Sequence, residues 1–169
     1  MKIQFPNIAI VGTGAMGRGI AQIAAQAGSQ VFLLDANPGA ADAAKAALQE
    51  QWNKLVAKGR IDAPQAGDLT ARLHPVKVVA DLAGCDLVVE AIVERLDVKK
   101  TLFAELEAVV RPDAVLATNT SSLSVTAIGA GLQRPERLAG FHFFNPVPLM
   151  KVVEVIAGLK TDPSVCQRL

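Results

Sequence analysis

The sequence predicts an open, mainly parallel α/β sheet with helices wound on both faces, and three observations carry that reading. The apolar run Ile8-Ala9-Ile10-Val11 breaks into a glycine-rich turn and continues as a helical pattern, which is the order strand, tight turn, helix. Further apolar runs at 30–34, 86–92 and 114–119 are nearly continuous and not alternating, as strands covered on both faces are. Segments of helical period separate these runs, and alternation of the two kinds is the mark of a doubly wound sheet.

In chain order, residues 15–27 carry apolar side chains at helical spacing, and Gly28 ends that helix before a second strand at 30–35. An Ala- and Leu-rich helix follows over 39–58, ending at Gly59, and a further helix over 64–73. Together they form a helical-pair insertion after the second strand, longer than an ordinary crossover and expected to touch something. A short strand is expected at 76–79 and a stronger one at 86–92. A helix over 98–110 closes at Arg111-Pro112, a buried strand runs over 114–119, and Ser121 to Ser124 lead into a helix over 125–132. The next strand covers 137–144, Asn145-Pro146-Val147-Pro148 breaks it, and a last strand at 150–156 precedes a short tail.

Composition bounds the function. A chain of 169 residues fits one well-packed domain, here expected over 1–169. It is 51% hydrophobic and 20% charged with a net charge of +1, which excludes a disordered chain and lacks the basic face that phosphate-backbone binding needs. No nucleic-acid partner is therefore expected. Lys2 before an apolar run resembles a secretory signal, but glycines interrupt the run too soon. It is also far shorter than the roughly 20 apolar residues of a membrane span, so no membrane partner and a cytoplasmic location are expected. Cys85 and Cys166 have neither metal-ligand spacing nor a disulfide framework around them, and no metal is expected. Asn119-Thr120-Ser121 fits the glycosylation pattern, without consequence in a cytoplasmic protein.

The glycine turn carries the first chemistry. In Gly12-Thr13-Gly14-Ala15-Met16-Gly17 the first glycine makes the turn, the second lets backbone approach a pyrophosphate, and the third lets helix pack on strand. The helix N-terminus at Ala15 and Met16 then faces the phosphates with free N–H groups. Asp35 ends the second strand about 20 positions on, where a dinucleotide site needs a carboxylate for ribose hydroxyls. Its charge repels a 2′-phosphate, and Ala36-Asn37-Pro38-Gly39 offers no cation to attract one, so the expected cofactor of this Rossmann-like fold is NAD and not NADP. The plainer alternative for Asp35 is a helix cap before Pro38.

Ligands of such sheets lie beyond the carboxyl ends of the strands, which nominates the glycine turn, Asp35, 92–96, 119–122 and 142–145 as one rim. Of the two histidines, His74 sits beside Pro75 in an expected loop, whereas His142 ends an apolar strand at the rim. Glu154 lies among apolar residues, where an unpaired carboxylate would be costly. If the last strand returns beside the one before it, Glu154 accepts a hydrogen bond from His142 and makes it a general base. The alternatives are a core histidine and a salt bridge from Glu154 to Lys151 or an arginine.

Four strings, GTGAMGRGIAQ, DLVVEAIVERLDVKKTLF, ATNTSSLSVTAI and GFHFFNPVPLMKVVEVI, together resemble the N-terminal domain of the 3-hydroxyacyl-CoA dehydrogenases, including the 3-hydroxybutyryl-CoA dehydrogenases. The last two are far more specific than the glycine motif. The resemblance implies NAD-dependent, reversible oxidation of a 3-hydroxyacyl-CoA to the 3-oxoacyl-CoA, within fatty-acid metabolism such as β-oxidation. By position it makes His142 the catalytic base and Glu154 its partner. Ser121 becomes the serine that bonds the substrate oxygen near the nicotinamide, and Asn145 an asparagine of the same site. Glu94 and Lys99 match NAD contacts, although a solvated helix charge explains Lys99 nearly as well, and Glu90 looks structural. Lys58 matches a lysine near the CoA phosphates, and Gln51 stands where some members have a CoA-contacting serine. Members of the family also carry a helical C-terminal domain that closes the cleft and forms a homodimer, and that domain is expected to be absent from 1–169. Two rival readings stay open: an NAD-binding module inactive on its own, and a related sugar-acid dehydrogenase.

Overall fold

The structure, a computed structural model, describes residues 3–169; Met1 and Lys2, with the signal-like reading of Lys2, lie outside the described residues. Strand β1 (Asn7–Val11) leads through the glycine turn into helix α1 (Ala15–Gln26) and strand β2 (Gln30–Leu34). Helices α2 (Ala40–Ala57) and α3 (Ala63–Ala71) form the helical pair, packed on each other before strand β3 (Leu73–Pro75). Strand β4 (Leu87–Glu90), helix α4 (Leu96–Val109), strand β5 (Val115–Thr118) and short helix α5 (Val125–Gly129) follow. Strands β6 (Leu138–Phe143) and β7 (Val153–Ala157) and helix α6 (Pro163–Arg168) complete the chain.

The seven strands lie in the order β3-β2-β1-β4-β5-β6-β7, parallel except for the antiparallel β6–β7 pair. The order reverses between β1 and β4, and the crevice at their carboxyl ends is where such sheets place ligands. The sheet divides the core in two. Ile8 and Ile10 of β1, Leu87 and Val89 of β4, and Val115 and Ala117 of β5 join a cluster beneath α1, α2 and α3. Their neighbours Ala9, Val11, Val88 and Leu116 face Phe103, Leu106 and Ile128 of α4 and α5. Both faces are thus buried, which is why these strands read as continuous apolar runs.

Four expectations are corrected. The strand expected at 76–79 stands at Leu73–Pro75, because Asp81 accepts the amides of Lys77 and Val78 and turns that β-branched run into a 3-10 turn at Val79–Leu82. His74 is therefore not in a loop: it pairs beside Phe32 on the edge strand with Nε2 2.7 Å from Gln30 Oε1. Burial, followed by the nearby Lys45 cation, holds its imidazole below the ordinary histidine value. The tail is not featureless but forms α6, capped by the Asp162 side chain and seating Val165 in the core. The helix after Ser124 is also shorter than expected, stopping at Gly129.

Candidate active site at the strand ends

The glycine turn is shaped by backbone contacts. Gly12 has φ 93°, and a Cβ there would stand 2.6 Å from the Ala91 carbonyl oxygen. A Cβ on Gly17 would stand 1.8 Å from the Gly12 carbonyl oxygen, so α1 can sit this close to the β1 turn only with glycine at 17. Gly14 differs: a Cβ there would meet nothing within 4 Å. The protein's own packing does not require that glycine. It leaves open the space at the N-terminus of α1, where Gly14 is the N-cap with no side-chain cap and no acidic residue occupies the first turn. Unpartnered N–H groups facing an open cradle suit a pyrophosphate.

Asp35, at the end of β2, is locked against this turn. Its Oδ2 accepts the Thr13 amide at 2.7 Å and the Thr13 hydroxyl at 2.8 Å, while Oδ1 accepts the Asn37 amide and side chain. Partial burial opposes its ionisation, but these bonds outweigh it and hold the carboxyl below the usual carboxylate range. It does not cap α2, whose N-cap is Gly39. Asp35 opens onto a groove of about 620 Å³ with Leu34, Val78, Ile92 and Leu102 among its apolar walls and Lys77 at its edge. Sequence reasoning missed Val78 and Leu102 as parts of this groove, and Thr13 as the partner of Asp35. The β-branched 76–79 run was the signal, read as a strand.

A second cleft of about 360 Å³ brings together Met16, Glu94, Lys99, Ser121, His142 and Asn145. His142 and Glu154 are directly opposite in the β6–β7 register, with His142 Nδ1 2.8 Å from Glu154 Oε2. A carboxylate only accepts, so Nδ1 carries the proton toward it and Nε2 keeps its lone pair. The Glu154 side chain is 55% exposed, and β7 is exposed along its length. The apolar residues around Glu154 therefore do not bury it, and the expected burial cost is not what brings the pair together. The pairing follows from the strand register.

Ser121 is held from below. The Glu94 carboxylate accepts the Thr120 hydroxyl, the Ser121 amide at 3.2 Å, and the Ser122 amide and hydroxyl. Partial burial works against its charge, yet the Thr120 hydroxyl and the Lys99 ammonium hold its carboxyl below the usual range. Helix capping before α5 falls to Ser124, whose hydroxyl accepts the Ala127 amide, which leaves the Ser121 hydroxyl out of that role. Asn119, given no part in the site's chemistry by the sequence, accepts the Phe143 amide at 2.9 Å and ties this turn to the histidine strand.

Lys99 is not a solvated helix charge. Its side chain is 1% exposed, and Nζ donates to Glu90 Oε1 at 2.5 Å and reaches Glu94 Oε2 at 3.3 Å. Lys58 lies apart from both clefts, at the end of α2. It borders a groove of about 410 Å³ with Arg18, Lys54 and Gln51, the last bonded to Gln22. Among the described residues no cluster of three His, Cys, Asp or Glu could hold a metal, and no helix is long and apolar enough to cross a membrane.

Comparison with known proteins shows the family. Residues 7–169 match the family model described as the 3-hydroxyacyl-CoA dehydrogenase NAD binding domain. The chain is 46% identical over 169 residues to the 3-hydroxyadipyl-CoA dehydrogenase of Escherichia coli strain K12, covering 100% of this chain and 36% of that protein. It is 42% identical over 156 residues to the 3-hydroxybutyryl-CoA dehydrogenase of Clostridioides difficile, covering 92% of this chain and 56% of that one. The crystal structure of 3-hydroxybutyryl-CoA dehydrogenase from Escherichia coli K12 superposes with a TM-score of 0.94 at 45% identity, covering 98% of this chain and 35% of that one. The chain thus spans between about a third and just over half of the length of these relatives.

Proposed function

The chain belongs to the family of 3-hydroxyacyl-CoA dehydrogenase NAD-binding domains, and from that premise we propose that it serves a protein that interconverts 3-hydroxyacyl-CoA and 3-oxoacyl-CoA. The observation that carries the proposal is the His142–Glu154 pair opening onto the same cleft as Ser121 and Asn145. The turn Gly12 to Gly17 and Asp35 would hold NAD, and Met16, Glu94 and Lys99, which line the cleft beside His142, would contact it. When bound, NAD supplies the hydride acceptor, or as NADH the donor. In the oxidising direction His142 Nε2 takes the hydroxyl proton as the O–H bond breaks and the carbonyl forms. Glu154 fixes the ring tautomer and stabilises the imidazolium that results. Ser121 and Asn145 orient the oxygen, and in the reducing direction His142 returns its proton to it.

The substrate's acyl carrier runs toward Lys58, whose groove also holds Arg18, two cations suited to the phosphates of CoA, while Lys54 beside them pairs with Glu50 at 2.7 Å. Fatty-acid metabolism such as β-oxidation, a cytoplasmic location and a homodimer in the full-length protein belong to the same proposal. The net charge of +1 supports a protein that binds no nucleic acid.

The test is reduction of acetoacetyl-CoA by the full-length protein with NADH, followed at the nicotinamide absorbance. General acid–base catalysis contributes about 10²–10⁴-fold, so His142→Gln should lose turnover in that range while NADH binding stays within about threefold. Normal turnover by His142→Gln would refute the assignment. NADH binding without turnover in the unsubstituted protein would favour a binding module instead.

A further inference from the structure

Glu90 is 0% exposed at the end of β4, and the proposed mechanism gives it no task. Each of its oxygens is nonetheless spoken for. Oε1 accepts the Ile92 amide at 2.7 Å and the Lys99 ammonium at 2.5 Å, and Oε2 accepts the Thr118 hydroxyl at 2.7 Å. Lys99, on α4, has two carboxylates as its partners among the described residues, Glu90 behind it and Glu94 in front. Glu94 in turn gives its Oε1 to the turn 120–122, taking the Thr120 hydroxyl, the amides of Ser121 and Ser122, and the Ser122 hydroxyl. Thr120, 5% exposed, also accepts the Leu123 amide at 3.0 Å, which closes the turn.

A continuous run of charge-assisted hydrogen bonds therefore leads from a buried carboxylate to the backbone that carries Ser121. We infer that Glu90 is a positioning residue for Ser121, acting through Lys99, Glu94 and Thr120. Stability of the fold does not by itself call for such an arrangement, since a buried ion pair can often be replaced by uncharged residues of similar volume without loss. What the charged pair adds here is direction. The Lys99 ammonium, anchored by Glu90, fixes the Glu94 carboxylate, and one oxygen of that carboxylate then sets the height of the Ser121 turn above the cleft. A loop held this way keeps its hydroxyl within the few tenths of an ångström that orientation of a reacting oxygen demands.

The inference rests on the reading of Ser121 as a substrate-orienting group, and its test separates the two. In the full-length protein, Thr120→Val removes the hydroxyl link at nearly constant volume and Thr120→Ser restores it. The double substitution Glu90→Gln/Lys99→Met removes the buried charges together. Thr120→Val should lower kcat for acetoacetyl-CoA reduction about 10- to 100-fold with the NADH dissociation constant within about threefold, and the double variant should lower kcat by a similar factor. Thr120→Ser should keep kcat within about twofold of the unsubstituted protein. Full kcat in Thr120→Val, or a loss that Thr120→Ser shares, would overturn the inference, and so would full kcat in the double variant. If the double variant does not fold, the Thr120 pair decides alone. If the unsubstituted protein reduces no acyl-CoA, the functional reading fails, and the relay is read from the amide resonances of Ser121 and Ser122. These should move in the double variant, where neither residue nor its neighbours are changed; unmoved resonances would overturn the relay.

Discussion

Replacing Lys99 by Met should be among the most damaging single changes that this domain can suffer outside its apolar core. Lys99 and Glu90 are 1% and 0% exposed, so the substitution leaves the Glu90 carboxylate deep in the protein with only an amide and a hydroxyl to offset its charge. Breaking a buried pair from one side costs about 3–5 kcal/mol. For a domain of this size each kcal/mol moves the thermal midpoint about 2–4 °C, so Lys99→Met should melt roughly 6–20 °C lower. In Glu90→Gln/Lys99→Met the charge is gone, and the new amide can still accept from Ile92 and donate to the Thr118 hydroxyl. The double variant should therefore return to within about 1 kcal/mol of the unsubstituted chain. Urea unfolding of the 169-residue chain, followed by circular dichroism for both single variants and the double, gives the coupling energy directly. A loss below about 1 kcal/mol in Lys99→Met, or a double variant as unstable as the sum of the singles, would refute the reasoning.

The two inner glycines of the turn should separate folding from binding. Gly17→Ala drives a Cβ into the Gly12 carbonyl and should lower the thermal midpoint, whereas Gly14→Ala meets open space and should melt normally yet lose NADH affinity by tenfold or more, about 1.4 kcal/mol; calorimetry beside a melting curve checks both. Asp35 is held below its ordinary value in the folded state, so its contribution to stability is fully present above the unfolded value of about 3.9 and is lost as pH falls through the lowered folded value. The stability difference between Asp35→Asn and the unsubstituted chain should accordingly be flat from about pH 5 to 8 and shrink only below about pH 4, as denaturant titrations at each pH would show. Burial, reinforced by the neighbouring Asp86 charge, pushes the Cys85 thiol up to about 12, so at pH 8 it should resist a maleimide in the native protein and react once unfolded, measured by mass spectrometry.

Legibility from the sequence followed the range of the interaction. The strands that build the floor of the sheet were readable because burial on both faces writes itself locally as β-branched runs, and the glycine turn because its backbone demands admit few other residues. The run Val76 to Val79 misled for the same reason: its propensity is that of a strand, and the side chain of Asp81, which takes its amides, outweighs that propensity. The partnership of His142 and Glu154 was foreseen from chemistry, but the premise of a buried glutamate was not the cause, since β7 is an exposed edge. The burial of Lys99 was out of reach, although the resemblance had named the residue. Nothing in Leu96-Asp97-Val98-Lys99-Lys100 tells which lysine points inward, because the answer lies nine residues back in Glu90 and in the angle at which α4 crosses the sheet.

The antiparallel hairpin of β6 and β7 has a consequence for how much this protein can vary. Gly140 faces Ile156 so closely that a Cβ on it would stand 2.9 Å from the Ile156 Cβ, and two residues further along the same ladder lie His142 and Glu154. That contact acts as a detent: it lets the two strands slide to one setting only. The connection between them, residues 144–152, is anchored as well, since Val147 is buried in the core where a Cβ on Gly19 would stand 2.8 Å from its Cβ. A single-residue slip of β7 would carry Glu154 to the opposite side of the sheet and leave His142 without its acceptor. Variation in this region is therefore quantised: a shift of even one residue in the strand costs the dyad.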